Sequence, residues 1–156
     1  MHDKVSVPLS WSEVGHAANV GMWRHIFARS TKKTDREPNT AKPSWDRDLV
    51  GAIAEYAAAK WLGVFWRPAI GETGGTDVGP YQVRSITVPT HRLCIRPQDK
   101  DEQVFLLVLV NHATPNCPVI YGWLKAGDAK RADWQAEDWL YYVPPDMLRP
   151  LAELPA

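Results

Sequence analysis

Cysteine is scarce in this chain. Cys94 and Cys117 are the two present, with no C-x-x-C pair and no histidine at zinc-finger spacing, which excludes a disulfide scaffold or a cysteine-ligated zinc module as the organising device. Two unpatterned cysteines suit a reducing cytosol, and a cytoplasmic location is the expectation. Charge of one sign is also lacking: 18 Lys and Arg balance 18 Asp and Glu, for a formal net charge of +0. No global field therefore draws the protein to polyanions, and any affinity for nucleic acid must come from a local basic patch. The longest apolar run, Val104 to Val110, is strand length and falls well short of the roughly 18 residues that mark a membrane span. No N-terminal stretch joins a basic start to an apolar core, which argues against a secretory leader. There is no P-loop and no internal repeat, and His16, His25, His91 and His112 have no Ser or Cys at a recognisable triad spacing.

What remains is a chain of 156 residues, 45% apolar with eight Trp, enough for one domain over residues 1–156 with a continuous core. Ser10 and Glu13 form a capping-box pattern that starts a helix near Trp11 and carries it to about Arg29. Val14, Ala17, Ala18, Met22 and Phe27 supply much of its apolar surface, against the weakening effect of Gly15 and Gly21. Around its end gather Arg24, His25, Arg29, Lys32, Lys33 and Arg36, which either grip phosphates or complement the helix dipole. Residues 30 to 44 read as an exposed connection. A second helix runs from Ser44 or Asp46 to about Leu62, with Gly63 as its stop and Leu49, Val50, Ile53, Ala54, Ala57, Ala58 and Trp61 on its buried side.

A first strand is expected over Val64 to Pro68, then a glycine-rich loop at residues 71 to 76. Further strands are expected near 81 to 88, 92 to 96, 103 to 110 and 119 to 125, as a largely antiparallel meander. The element order predicts an α/β (α+β-like) domain, its mixed, antiparallel-rich central sheet covered on one face by the two helices. Arg92 and Arg96 alternate with Cys94, so both sit on one face, either solvated or against DNA. In the tail, the basic pair Lys130 and Arg131 neighbours Trp134, Trp139, Tyr141 and Tyr142, which either stack bases or close a core. Pro144 and Pro145 lead into a short terminal helix.

Two stretches carry the chemistry, GAIAEYAAAKWLG (51 to 63) and GTDVGPYQVRS (75 to 85). Glu55 has Gly51, Ala52, Ala58 and Ala59 as helical neighbours, so no basic residue forms an ion pair along the helix and small side chains leave room for a cation or phosphate. Asp77 precedes the Gly79-Pro80 turn, at a strand end. Gln82 and Arg84, two apart in the strand that follows, leave the same face. Carboxylate, amide and carbonyl oxygens are the ligands that hard divalent cations take. Taken singly, Glu55 reads as a solvated helix residue and Asp77 as a turn residue; their joint placement is what points to a site.

This order resembles the PD-(D/E)XK nuclease superfamily, in which a helix-borne Glu precedes a strand-end Asp and then an acid-X-Lys triplet. The resemblance covers residues 48 to 126 and implies a restriction-endonuclease-like fold. It makes Glu55 the helix acid, Asp77 the central metal ligand, Gln82 the triplet acid and Arg84 the triplet Lys, so two of the four positions depart from the usual identity. It further implies Mg²⁺ or Mn²⁺ held by Glu55, Asp77, the Gln82 side chain and the Val83 backbone carbonyl, with phosphodiester hydrolysis, in DNA, as the reaction. Arg24, Arg29, Lys32, Lys33, Arg92 and Arg96 are the candidate nucleic-acid contacts. A homodimer is compatible with this reading. The rivals are an inactive nuclease-fold module that binds nucleic acid or a protein partner, and an assembly protein in which Glu55 and Asp77 are unrelated in space.

Overall fold

The computed structural model describes residues 3–31, 44–72 and 74–156. Helix α1 spans Trp11–Ser30 and begins with the expected reciprocal cap: the Ser10 hydroxyl accepts the Glu13 N–H at 3.1 Å, and the Glu13 carboxylate accepts the Ser10 N–H at 2.7 Å. Its buried stripe is Val14, Ala17, Val20, Gly21 and His25. The expected stripe differs at its end, because the inward face turns through Val20 and Gly21 toward the second helix; Ala18 and Met22 are half-buried and Phe27 is exposed.

Helix α2, Ser44–Leu62, carries buried alanines at 52, 54, 57, 58 and 59. Small residues on more than one side suit a helix packed between two layers. α2 lies on the sheet and α1 packs chiefly on α2, which refines the expectation that both helices cover the sheet directly. The helix stops at Gly63, whose φ of 68° is left-handed.

The helix pair comes close at Gly21, where a Cβ would lie 2.5 Å from the Asp48 carbonyl oxygen and 2.7 Å from the Leu49 Cα. Both neighbours are backbone, so they yield only if the helices separate. Gly21→Ala should therefore destabilise the fold by about 1–3 kcal/mol despite its better helix propensity. At Gly15 an added Cβ meets nothing within 4 Å, so Gly15→Ala should stabilise by up to about 1 kcal/mol. Urea denaturation checks the pair; equal effects at both sites would contradict this account of the crossing.

The main sheet has the order β1-β5-β4-β2, formed by Val5–Ser6 (β1), Tyr81–Ile86 (β2), Val104–Leu109 (β4) and Val119–Lys125 (β5). β4 is central and buried throughout. Its even positions Val104, Leu106 and Val108 face the helix-side core, while Phe105, Leu107 and Leu109 face a second core. The strand β3, Leu93–Ile95, leaves the sheet and pairs antiparallel with β6, Tyr141–Val143.

The expected meander is therefore corrected. β2 runs parallel to β4, because the intervening β3 does not sit between them but pairs elsewhere. The expected strand at 64 to 68 is irregular; the Trp66 indole is buried there, and Pro68 has no N–H to offer a ladder. The terminal helix is two 3₁₀ turns, Pro145–Met147 and Leu151–Glu153, separated at Pro150. Of the tail aromatics, Trp134 and Tyr141 pack against the second core, whereas Trp139 is exposed. Among the described residues, no helix is long and apolar enough to cross a membrane.

Candidate functional site

β2 is an edge strand, and a cavity of about 450 Å³ opens along it. Glu55, Asp77, Gln82 and Arg84 all line this cavity, together with Arg24, Arg67, Arg96 and Asp99. Groups from both sides of the sheet reach it. Gln82 and Arg84 belong to the alternation that faces away from α2, while Glu55 comes from α2 itself.

Glu55 is buried, with its side chain 10% exposed. Its helix offers no partner, as the sequence indicates, but α1 does. Arg24 donates from Nη1 to Oε1 at 2.7 Å and from Nη2 to Oε2 at 2.8 Å, and the Trp66 indole N–H adds a third bond to Oε2 at 3.2 Å. The expected open carboxylate is thus a bidentate ion pair. Burial pushes the Glu55 carboxyl above its ordinary range; Arg24 pulls it down, and nearby Asp77 again pushes it up. Burial works to lower the Arg24 guanidinium, but the Glu55 bonds outweigh it and its pKa is raised.

Arg24 was expected to contact nucleic acid. Its Nε donates to the Ala69 carbonyl at 2.8 Å and both terminal nitrogens to Glu55, so in this structure it ties α1, α2 and the 69 loop together. One sequence signal marks it: Arg24 follows Gly21 by three and Val20 by four residues, which puts its stem on the inward stripe.

Asp77 is half-buried. Its backbone N–H donates to the Tyr81 carbonyl at 3.0 Å, and its Oδ2 accepts the Val83 N–H at 2.8 Å. The turn between them is held by Gly79 in the left-handed region and by the Thr76 hydroxyl donating to the Gly79 carbonyl. In an extended strand the N–H and C=O of one residue leave the same edge. The Val83 carbonyl therefore faces the edge where the Asp77 carboxylate sits.

The Gln82 amide nitrogen donates to the Gly75 carbonyl at 2.8 Å, which leaves its oxygen as an acceptor. Arg84 is held loosely. Its Nη2 lies 3.5 Å from Asp99 Oδ2, long for a charge-assisted bond, and the guanidinium stacks 4.7 Å over the Phe105 ring. Its Nε is buried with no hydrogen-bond partner in the protein. Asp99 Oδ2 also accepts the Arg96 N–H at 2.8 Å, so Asp99 stays anchored if Arg84 moves to a ligand.

The other candidate contacts divide. Arg96 lines this cavity and Arg92 lines a neighbouring one. Arg29 is exposed at the end of α1 and is not among the lining residues. Lys32 and Lys33 lie outside the described residues. Arg67, Asp48 and Asp99, which also line the cavity, carry no local motif that would single them out.

Among the described residues, no group of three or more His, Cys, Asp or Glu side chains is gathered as a metal site. Mg²⁺, however, is commonly held by one or two carboxylates with several waters and substrate oxygens. Asp77, the Gln82 side-chain oxygen and the Val83 carbonyl fit that sparse, hard donor set. Glu55 fits it only through water, or once Arg24 releases it. Compared with known proteins, the chain matches no family model, no curated protein and no solved structure.

Proposed function

We propose that this cavity hydrolyses phosphodiester bonds, in DNA, as a divalent-metal-dependent nuclease similar to the PD-(D/E)XK superfamily, with a restriction-endonuclease-like arrangement of helix and edge strand. The observation that supports it is the convergence of Glu55, Asp77, Gln82 and Arg84, taken from two separate stretches of sequence, on one cavity. Asp77 would hold Mg²⁺ or Mn²⁺ with the Gln82 and Val83 oxygens. When bound, such an ion acidifies a water and offsets charge on the phosphate. Arg84 grips a non-bridging phosphate oxygen; as a guanidinium it stays protonated, so it stabilises charge and does not take the water's proton. The Arg24 clamp keeps Glu55 aimed at the cavity.

One observation favours a second reading, a nucleic-acid-binding module without catalysis: both Glu55 oxygens are already bonded to Arg24, which weakens the site for a cation. Calorimetric titration with Mn²⁺ separates the two. The nuclease reading expects weak binding by the wild type that disappears in Asp77→Ala. Equal binding by both proteins would remove Asp77 from the site, and no binding by the wild type would favour the module.

A further inference from the structure

A second cavity, of about 430 Å³, opens at the carboxyl end of β2. Its lining includes Val50, Ser85, Thr87, Thr90, Arg92 and Tyr142. Arg84 lines the first cavity and Ser85 this one, on opposite faces of the strand, while α2 gives Asp48 to the first and Asp46 and Arg47 to the second, so the two adjoin across the β2 edge. They differ in chemistry. The first is walled chiefly by guanidinium and carboxylate groups; the second sets aliphatic side chains, threonine methyls and an aromatic ring beside Arg47, Arg92, Asp46 and His91.

The walls of the second cavity are braced. The Tyr142 hydroxyl donates to Asp138 Oδ2 at 2.8 Å, which fixes the ring. Opposite the strand, a turn holds Thr90 in place, with the His91 N–H donating to the Val88 carbonyl at 3.0 Å and Pro89 within it. Asp46, also in the lining, is bonded to His112 Nε2 at 2.5 Å, so its carboxylate does not stand alone against an incoming ligand.

We propose that this slot receives a nucleobase flanking the phosphate gripped at Arg84, and that the substrate is accordingly single-stranded or locally unpaired. The inference rests on the nuclease reading for the position of the phosphate. A base has apolar faces and polar edges, as the slot has apolar walls and scattered donors and acceptors. From Arg84 to Ile86, the last residue of β2, the strand advances about 7 Å, within the span of a dinucleotide. A base seated between such walls must leave its duplex stack, which costs least when it is already unpaired, and a fixed aromatic ring can stack on any base.

Fluorescence anisotropy tests this with a labelled oligothymidylate, the same strand annealed into duplex, and the strand carrying abasic positions, against the wild type, Thr90→Trp and Tyr142→Ala. Thr90 is exposed on its turn, so Thr90→Trp fills the slot from outside the core; melting curves confirm that each variant folds. The single strand should bind the wild type at least about tenfold tighter than duplex, and abasic positions or Thr90→Trp should cost about tenfold or more. Duplex bound as tightly, or abasic and intact strands bound equally by the wild type, would overturn the slot. The two readings fail separately. Undiminished single-strand cleavage by Thr90→Trp overturns the slot and leaves the nuclease standing; slot-dependent binding with no cleavage by any form supports the slot and removes the nuclease.

Discussion

Arg84→Ala should lower metal-dependent phosphodiester cleavage by about 10²-fold or more, the usual cost of removing a preorganised charge aimed at the transition state. The expectation follows from how the residue is held. Phe105 supports the guanidinium from below, Asp99 holds it through one long contact, and its buried Nε has no protein partner. Such a side chain is oriented without being saturated. Arg84→Lys should retain part of the activity, because charge remains while the two-pronged grip on phosphate is lost. Stability should change little in either variant, since Asp99 keeps its bond from the Arg96 N–H. Cleavage of a labelled oligonucleotide in Mn²⁺ is the measurement, and undiminished cleavage by Arg84→Ala would rule out this role.

Arg24→Met should destabilise the fold by about 3 kcal/mol at neutral pH, the scale for stranding one member of a buried ion pair. The pH dependence identifies the cause. Burial already raises the folded-state pKa of Glu55, and without Arg24 the main pull downward is gone, so it rises further. A carboxyl whose folded pKa lies above its unfolded value contributes stability that is fully present below the unfolded value and lost as pH rises through the folded one. The deficit of Arg24→Met should therefore be largest at neutral pH and shrink on acidification, as Glu55 takes up a proton. Glu55→Gln removes the titrating carboxyl and strands a guanidinium that stays protonated; the wild type, with Glu55 raised, gains stability on acidification that this variant cannot, so its deficit should not shrink as pH falls. Urea denaturation at neutral and mildly acidic pH checks both; an Arg24→Met deficit independent of pH would contradict the account of the pair.

The sequence reveals most where the determinants are local. The Ser10 and Glu13 cap and the Gly63 stop set helix ends that the structure reproduces within a residue or two, because each depends on groups a few positions apart. The strand at Tyr81–Ile86 is legible for the same reason, as is the shared face of Gln82 and Arg84. Strand partnership is not local. Nothing in residues 81 to 109 announces that Leu93–Ile95 pairs with Tyr141–Val143 and leaves β2 parallel to β4. Glu55 shows the limit most clearly: its helical neighbours correctly predict no ion pair along α2, yet Arg24 on α1, 31 positions away, supplies one. Gly21 belongs to the same class, a weak helix former whose value lies in the closeness of another helix.

The most direct test of the proposed function is cleavage of single-stranded and duplex DNA, and of RNA, by the wild type and by Asp77→Ala, each with Mn²⁺ and with chelator. The account predicts cleavage that needs both the metal and Asp77, with single-stranded DNA the preferred substrate. Cleavage that persists in chelator or in Asp77→Ala, or no cleavage of any of these by the wild type, would contradict it.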